Sequence, residues 1–505
     1  MRVLLIYPDI SRGVEEREVF LQSTFPSLGV NYLATTLSKS GHQVFVYDIF
    51  FNYLSNCYQP DSTFIRLVER TIKQIKPKVV GISFLTPSRR ESLQVARLMK
   101  KIDPKTLVVA GGAHATIMYE QLLSNYLEID VVVIGEGEIT FPELIEAFET
   151  KTDLYEVKGI AFRKEETSEI IVTLPRPLIQ DLDSIPMPNY DQYLQFIPKG
   201  KLLTASIITG RGCTYGKCQF CASRSLWPNC RVRTAKNVVD EIEILTKEYS
   251  VENIRIHDDT FTSFPERAVQ IFGEIVNRKL KITIDFKTIF NKITPHLLYW
   301  FKKAGGRSIF YGLESASERL RNLMRKPKIS NEDIKLIVNI NKKYGIKVGL
   351  FVMFGYPGET IEDIRETYDL LEKLNPDRVR CTITKVYPGT QLYQYATKRK
   401  IICDKYWLNE DPDHRYFTFL NKEEIAELKR YDLLFSGRFN GSELWAEYDE
   451  QDISYYIDHG DSYLLEEIDK QKLFNKMARQ TASILTDLNN KIVKEHNEGN
   501  CQAIQ

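Results

Sequence analysis

Long apolar runs are the first feature that this sequence lacks. No segment approaches the roughly eighteen consecutive apolar residues of a membrane helix, and Val348–Phe354 is among the longest runs present. The first apolar run ends at Pro8 and is too short for the core of a signal peptide. We therefore expect a cytoplasmic protein without a membrane span.

An excess of either charge is absent as well. The chain carries 68 Lys and Arg against 67 Asp and Glu, a formal net charge of +1. No basic surplus remains to displace the counterions of a nucleic acid, so we expect no nucleic-acid partner. Hydrophobic residues make up 43% and charged residues 27%, which excludes a disordered or fibrous chain. A length of 505 residues suggests about three domains.

Cysteine is scarce, with eight in the whole chain, which excludes a disulfide scaffold. Three of them nevertheless crowd one glycine-flanked loop: Cys213, Cys218 and Cys221, separated by four and by two residues. Three thiolates on a short loop can hold three corners of an iron–sulfur cube and leave one iron without a protein ligand. Zinc normally takes four ligands, and Cys230 and His257 lack a finger-like spacing, so zinc or inert cysteines are the weaker alternatives.

The first 150 residues alternate short apolar runs with stretches of helical period. This pattern predicts a flavodoxin-like, doubly wound parallel sheet. The predicted strands are Val3–Tyr7, Val44–Asp48, Val79–Phe84, Thr106–Ala110 and Val131–Ile134. The predicted helices lie near Leu28–Ser40, Phe64–Gln74, Glu91–Lys101, Tyr119–Asn125 and Glu143–Phe148.

Small residues follow three of these strands, at the sheet edge where ligands bind in such folds. Glycine there lets a flat ligand or a phosphate approach the backbone, although glycines also simply form turns. No Gly-x-Gly-x-x-Gly follows the first strand, so a dinucleotide site is poorly supported. The candidates for ligand contact are Ser83, Gly111, Gly112, His114, Gly135, Glu136 and Gly137.

The cysteine loop resembles that of the radical S-adenosylmethionine (SAM) enzymes, in particular the branch with an N-terminal cobalamin-binding domain. The family loop is usually Cys-x3-Cys-x2-Cys with an aromatic residue before the last cysteine, a position that Phe220 fills here. This chain has one additional residue after Cys213, and we expect Gly216 to absorb the bulge. Later segments are similar to the second, fourth, fifth and sixth strands of a radical SAM barrel: Asn253–Asp259, Ser308–Glu314, Lys347–Gly355 and Val379–Val386.

The resemblance implies four regions along the chain. Residues 1–150 would form the cobalamin-binding domain, 151–195 a linker, and 196–395 a partial (β/α)6 barrel with its chemistry at the carboxyl ends of the strands. Residues 396–505 would form a helical C-terminal cap that includes Lys422–Leu434 and Leu464–His496. A role of Tyr448, Tyr455 or Tyr456 in substrate selection is a further possibility within that cap.

The resemblance also implies residue roles. Cys213, Cys218 and Cys221 would ligate a 4Fe-4S cluster whose open iron binds SAM. The implied SAM contacts are Phe220, Asp258, Asp259, Glu314, Phe351 and Gly355. A helix-capping carboxylate is the alternative for Glu314, and a turn-capping pair is the alternative for Asp258 and Asp259.

The corrinoid would contact the seven candidates at the edge of the first sheet. We expect no histidine beneath the cobalt, because the Asp-x-His-x-x-Gly signature is missing from the segment after the first strand, Asp9–Gly13. His42 is expected in a surface turn, and His114 is expected to line the site.

The implied function is methylation of an unactivated carbon of a small molecule or peptide, through a 5′-deoxyadenosyl radical and methylcobalamin. An external low-potential electron donor would be needed. A radical cyclase or rearrangement enzyme, and a non-catalytic corrinoid or redox sensor, are the alternatives. Methylthio transfer is disfavoured because the first domain contains only Cys57. No catalytic residue is singled out, and the substrate is not identified by the sequence.

Overall fold

The computed structural model describes residues 1–8, 27–48, 64–164, 167–191, 204–411, 414 and 416–440. Its N-terminal domain contains a sheet of seven strands in the order β2-β1-β3-β4-β5-β6-β7. The first five strands pair in parallel, as predicted. Their bounds are β1 Arg2–Tyr7, β2 Gln43–Asp48, β3 Val79–Ser83, β4 Leu107–Gly111 and β5 Val131–Val133.

Helices cover both faces of this sheet, which explains why its central strands are apolar along their whole length. Leu4 and Ile6 of β1 pack in one core cluster, whereas Val3 and Leu5 point to the opposite face and pack in another. The helices are α1 Leu28–Lys39, α2 Phe64–Ile75, α3 Arg89–Ile102, α4 Ala113–Ile117, α5 Tyr119–Asn125 and α6 Gly137–Thr150.

The segment predicted as a linker, residues 151–195, contains secondary structure. Strands β6 (Ile160–Arg163) and β7 (Ile170–Val172) form an antiparallel extension of the sheet beyond β5. Without them β5 would be an open edge with unpaired backbone groups. The first sheet therefore extends past residue 150, as far as Val172. Residues 192–203 lie outside the described part of the chain.

The second sheet has six parallel strands in the order β15-β14-β13-β12-β11-β8. Since β8 and β15 do not pair with each other, the barrel is partial, in agreement with the predicted (β/α)6 architecture. A two-stranded hairpin, β9 with β10, flanks the cysteine loop. The bounds are β8 Thr204–Ile207, β9 Gly210–Arg211, β10 Arg231–Val232, β11 Asn253–Ile256, β12 Thr283–Thr288, β13 Gly306–Glu314, β14 Lys347–Phe354 and β15 Arg378–Ile383.

Helices surround this barrel, and six of them begin at a residue whose side chain accepts a capping hydrogen bond. In one of them the side chains of Thr360 and Asp363 form a reciprocal capping box. The helices are α7 Ser223–Leu226, α8 Ala235–Glu248, α9 Pro265–Asn277, α10 Pro295–Lys303, α11 Glu318–Leu323, α12 Asn331–Lys343, α13 Ile361–Leu374, α14 Gln391–Lys398 and α15 Lys422–Asn440.

Helix α15 lies in the described part of the predicted C-terminal cap and includes the predicted helix Lys422–Leu434. Its Phe435 ring packs edge-on against Phe354 of β14, with 5.1 Å between the ring centres. The predicted helix Leu464–His496 and the three tyrosines of the cap lie outside the described residues. Among the helices that the structure describes, none has the length and apolar character needed to cross a bilayer.

Candidate active site between the two sheets

A cavity of about 280 Å³ lies between the carboxyl edge of the first sheet and the barrel. His257 and Asp259 line it from the barrel side, and Trp227 lines it from the cysteine-loop region. Six of the seven residues predicted to contact a ligand at the sheet edge line the same cavity: Ser83, Gly111, Gly112, Gly135, Glu136 and Gly137.

Glycine residues form most of the rim of this cavity. A Cβ atom added at Gly111 or Gly135 would meet no atom within 4 Å, so these positions face open space. Gly112 has φ +93°, and a Cβ there would lie 2.9 Å from the Phe84 carbonyl oxygen, so this position requires glycine. The inner wall is apolar and includes Val109 and Phe141. A glycine rim above an apolar wall fits a large, flat corrinoid.

His114 lies elsewhere, which corrects its predicted place at the site. It is buried in the core, where its Nδ1 is 3.1 Å from Thr86 Oγ1 and its ring meets Trp407 edge-on. Burial, aided by the charge of Arg89, lowers the pKa of His114 to about 3, so the imidazole is neutral. His42 contacts the N-terminal amino group through its Nδ1 at 3.3 Å.

A buried charge network joins the glycine-rich loop after β5 to the hairpin beside the cysteine loop. Arg211 donates to Glu136 Oε1 at 2.5 Å and to Glu138, and Arg231 donates to Glu136 Oε2 at 2.9 Å. Trp227 lies beneath both guanidinium groups, at 5.5 and 5.6 Å from its ring centre. Glu136, predicted as a ligand contact, thus also connects the two domains.

The electrostatics of this network favour the charged forms. Burial raises the pKa of Glu136, but Arg231 and Arg211 outweigh that effect and the net shift is downward. Burial likewise lowers the pKa of Arg211, and the carboxylates of Glu138 and Glu136 reverse it. Glu136 and Arg211 therefore both stay ionised near neutral pH.

The cysteine loop is fixed at its centre by Gln219. Its backbone N–H donates to the Met324 carbonyl at 3.0 Å, and its own carbonyl accepts from Leu392 N at 2.9 Å. Gly216, in the additional part of the loop, has φ +56°, the left-handed conformation expected for a bulge. The loop is thus held against the barrel although it is one residue longer than the family pattern.

The three cysteines of this loop are free thiols. Within the described ranges, no group of three His, Cys, Asp or Glu side chains converges on a single metal ion. The thiolates of an iron–sulfur cube bind different iron atoms, so they do not need to converge on one point.

A buried ion pair lies beside the cysteine loop. Lys326 Nζ is 2.9 Å from Glu314 Oε1, and Glu314 has φ +63°, a strained conformation at the end of β13. Burial raises the pKa of Cys218 to about 12, and the ammonium of Lys326 acts against that rise. The sequence reasoning missed Lys326, whose only signal was its position after the β13 motif.

The two adjacent aspartates at the end of β11 have different surroundings. Asp258 is buried and accepts hydrogen bonds from the backbone and hydroxyl of Thr209, at 2.6 and 2.5 Å. Asp259 lines the cavity and accepts a hydrogen bond from Ser223 Oγ at 2.5 Å. Asp258 therefore stabilises the end of the first barrel strand, and Asp259 is the carboxylate that a ligand can reach.

The remaining predicted SAM contacts lie on three elements of the barrel. Phe220 is half-buried and packs against the barrel core. Phe351 lies in β14 with its ring 5.5 Å from that of Phe310, inside the barrel. Gly355 follows β14 with φ +72°, and its N–H donates to the carboxylate of Glu359.

The burial of the Glu359 side chain in the turn after β14 can be tested through its pKa. Burial raises its pKa to about 8, so the folded protein holds a proton that the unfolded chain releases near pH 4.5. A raised carboxyl pKa stabilises the fold at low pH and loses that effect as the pH rises through 8. We expect Glu359→Gln, which keeps an acceptor oxygen, to remove a fall in unfolding free energy of up to about 1.4 kcal/mol per pH unit.

The measurement is urea unfolding between pH 5 and 8. Glu362→Gln is the matched control, because this side chain lies three residues further on, in the first turn of α13, and is 72% exposed. The control is expected to keep the slope of the wild-type protein. An unchanged slope in Glu359→Gln would contradict the assignment.

Two family models match this chain. The model of the B12 binding domain matches residues 21–145, and that of the radical SAM superfamily matches residues 207–371. These ranges coincide with the glycine-edged sheet and with the partial barrel.

Similar proteins support the same organisation. An uncharacterized methyltransferase of Pyrococcus horikoshii is 31% identical over 440 residues, covering 85% of this chain and 91% of its own. The anaerobic magnesium-protoporphyrin IX monomethyl ester cyclase of Rubrivivax gelatinosus is 29% identical over 403 residues, covering 78% and 70%. The solved structure of TsrM, a radical SAM methyltransferase from Kitasatospora setae, has a TM-score of 0.66 at 18% identity and covers 89% of both chains.

Proposed function

Because this chain belongs to the radical SAM enzymes that carry an N-terminal cobalamin-binding domain, we propose that it methylates an unactivated carbon of a small molecule or peptide. The cofactors of that family are a 4Fe-4S cluster, SAM and cobalamin. One observation carries the proposal: Gly111 and Gly135 of the first sheet share a cavity with His257 and Asp259 of the barrel. A methyl carrier and a radical generator must lie this close to act on one substrate.

The cluster and SAM, when bound, supply a 5′-deoxyadenosyl radical, and cobalamin supplies the methyl group. In the proposal, Cys213, Cys218 and Cys221 ligate three irons. The buried ammonium of Lys326 lies beside the Cys218 sulfur, where it favours the thiolate that iron requires. Glu314 keeps that ammonium in place.

The proposal assigns the remaining predicted side chains to the binding of SAM. Asp259 offers an accessible carboxylate to the ammonium or ribose hydroxyls of SAM, and Phe220, Phe351 and Gly355 provide apolar or backbone surface. Asp258 acts indirectly, because its carboxylate is already occupied by Thr209.

On the corrinoid side, the proposal assigns the flat ring to the rim formed by Ser83, Gly111, Gly112, Gly135 and Gly137. Glu136 orients this rim through its two arginine partners. Neither His114 nor His42 lines this cavity, so the proposal includes no lower histidine ligand from them.

The test is methyl transfer from SAM that carries an isotopically labelled methyl group. Protein purified without oxygen and reconstituted with iron, sulfide and hydroxocobalamin is incubated with labelled SAM, a reductant and candidate substrates. We expect 5′-deoxyadenosine together with a product that contains the labelled methyl group. The absence of 5′-deoxyadenosine with every substrate would contradict an enzymatic role and favour a redox sensor.

Radical ring formation is the second candidate function. It is favoured by the similarity to the magnesium-protoporphyrin cyclase over 78% of this chain. The same experiment separates the two functions, because cyclisation yields 5′-deoxyadenosine and a product without the labelled methyl group.

A further inference from the structure

A second, larger cavity lies inside the barrel. It has a volume of about 770 Å³, within the range typical of small-molecule sites. Strands β11 to β15 line it with every second residue, as expected for side chains that point to one face of a sheet. In the strand register, Asp285 lies beside Arg255 and Ser308, and Phe351 lies beside Arg380.

The charge of this lining is one-sided. Among the residues that the structure describes, six basic and two acidic side chains border the cavity. The basic residues are Arg255, Lys287, Arg307, Lys347, Arg378 and Arg380, and the acidic ones are Asp285 and Asp377. A barrel interior of this kind stands out in a chain whose total charges balance almost perfectly.

The two acidic residues already have partners. Asp285 accepts hydrogen bonds from Arg307 Nε at 2.9 Å and from Ser308 Oγ at 2.7 Å, and Arg255 lies 3.7 Å from the same carboxylate. Asp377 accepts a hydrogen bond from the Val348 N–H at 2.8 Å. The Asp285 carboxylate therefore serves two guanidinium groups, and the described lining residues include more cations than carboxylates.

The two lysines of the lining, Lys287 and Lys347, are the clearest examples of its positive charge. Among the described residues, no hydrogen bond or ion pair involves the ammonium group of Lys287 or Lys347. Burial lowers the pKa of Arg255, and the nearby charges of Arg380, Arg307 and Arg378 lower it further, although Asp285 raises it. Several cations thus repel one another across the cavity, and a polyanion would relieve that repulsion.

An aromatic surface lies among these charges. The rings of Phe310 and Phe351 are tilted by 35° with 5.5 Å between their centres, and the guanidinium of Arg380 lies 5.8 Å from the Phe310 ring centre. Gly349 makes room for this arrangement, because any Cβ there would collide with the Phe310 ring. The cavity therefore offers an apolar platform as well as cations.

His257 connects the two cavities, because it lines both of them. A molecule inside the barrel can therefore extend toward the cavity that is shared with the glycine rim. The cations extend along the barrel, since Lys347 and Arg378 lie at the amino-terminal ends of their strands and Lys287 lies near the carboxyl end of β12.

We propose that the substrate is a small molecule with at least two negative charges, supplied by phosphate or carboxylate groups, which bind among Lys287, Arg255 and Arg380. This inference rests on the proposed function, since it assigns the substrate class of the same site. A charge-assisted hydrogen bond to each anionic group and contact of its apolar part with Phe310 and Phe351 would position the reacting carbon.

The experiment measures anion binding by calorimetry at low ionic strength. The full-length reconstituted protein is titrated with pyrophosphate, tripolyphosphate, citrate and a short uridine RNA. We expect at least one of the three small anions to bind, and Lys287→Gln and Arg380→Gln each to raise its dissociation constant by roughly tenfold. Binding of the phosphates alone indicates a phosphorylated substrate, and binding of citrate alone indicates a polycarboxylate.

The matched control is the double variant Lys236→Gln/Arg278→Gln, which removes two cations from helices outside the barrel. It is compared with Lys287→Gln/Arg380→Gln, which has the same net charge. The control is expected to bind the anion within about twofold of the wild-type protein, and Arg380→Lys is expected to recover part of the lost affinity. Circular dichroism and corrinoid content verify that each variant is folded.

Three results would overturn the proposal. Failure of all three small anions to bind, or an equal loss of binding in the control, would remove the role of the cavity. Tighter binding of the RNA that is lost in the cavity variant would assign the surface to nucleic acid instead. Because binding is measured without turnover, anion binding without labelled methyl transfer would contradict the proposed function and leave this inference standing.

Discussion

Replacing Cys213, Cys218 or Cys221 by alanine is expected to lower the bound iron from about four atoms per chain to less than one. In the proposed function each cysteine supplies one of three protein ligands, and a cube with two ligands and two exposed irons is not held against loss to solvent. Formation of 5′-deoxyadenosine should fall by a factor on the order of 10³ or more, because the radical cannot form without the cluster. Iron and sulfide analysis and a SAM cleavage assay measure both effects.

Cys230→Ala is the matched control for this prediction. Cys230 is a partly buried thiol close enough to the loop for Cys213 to influence its pKa, which burial raises. It lies outside the three-cysteine pattern, so this variant should keep its iron and its cleavage activity. Loss of iron in the control, or its retention in all three loop variants, would contradict the assignment of ligands.

Replacing Arg211 by methionine is expected to destabilise the folded protein by about 3–5 kcal/mol, because it leaves a buried carboxylate without its cation. Glu138 has no other ion-pair partner among the described residues, and its side chain is only 9% exposed. The affinity for corrinoid should fall as well, since the loop of Glu136 and Glu138 forms part of the rim. Urea unfolding and a hydroxocobalamin titration measure the two quantities.

Arg278→Met is the control with the same chemistry and a different environment. Arg278 also bonds more than one carboxylate, but Asp240, Glu243 and Glu274 keep 28–41% of their side-chain surface exposed. Its loss should cost only about 0–1 kcal/mol and leave corrinoid binding unchanged. Equal destabilisation by the two substitutions would show that burial of the Arg211 network is not what matters.

Much of the fold is visible in the sequence because it depends on local patterns. The apolar strand β3 and the amphipathic helix α3 were predicted from periodicity, and the glycines at the sheet edge from the turns that they form. The strand β12 was not among the predicted strands, although Ile284 and Phe286 alternate with Asp285 and Lys287 in the period of a strand that faces the cavity on one side. The pair β6 and β7 was missed because short edge strands resemble a linker until the partner strand β5 is known.

The candidate site also has one part that the sequence predicts and another that only the folded structure decides. The spacing of Cys213, Cys218 and Cys221 predicts the cluster loop by itself, because three candidate ligands on one short segment need no distant partner. The glycine edge likewise follows from strand ends that parallel pairing brings together. Which of Asp258 and Asp259 is accessible depends on Thr209, which is distant in sequence. The predicted place of His114 was wrong because its burial depends on Trp407, which lies far along the chain.

The sequence by itself thus determined the two domains and their order and predicted the cysteine ligands, because these features are encoded in periodicity and spacing along the chain. Only the tertiary structure decided which charges meet. Arg211 and Glu136 pair across the two domains, and Lys326 and Glu314 pair within the barrel. The basic interior of the barrel combines residues of five separate strands. A balance of 68 basic against 67 acidic residues records the sum of the charges, whereas folding sets the distances between them, and Coulomb energy depends on distance.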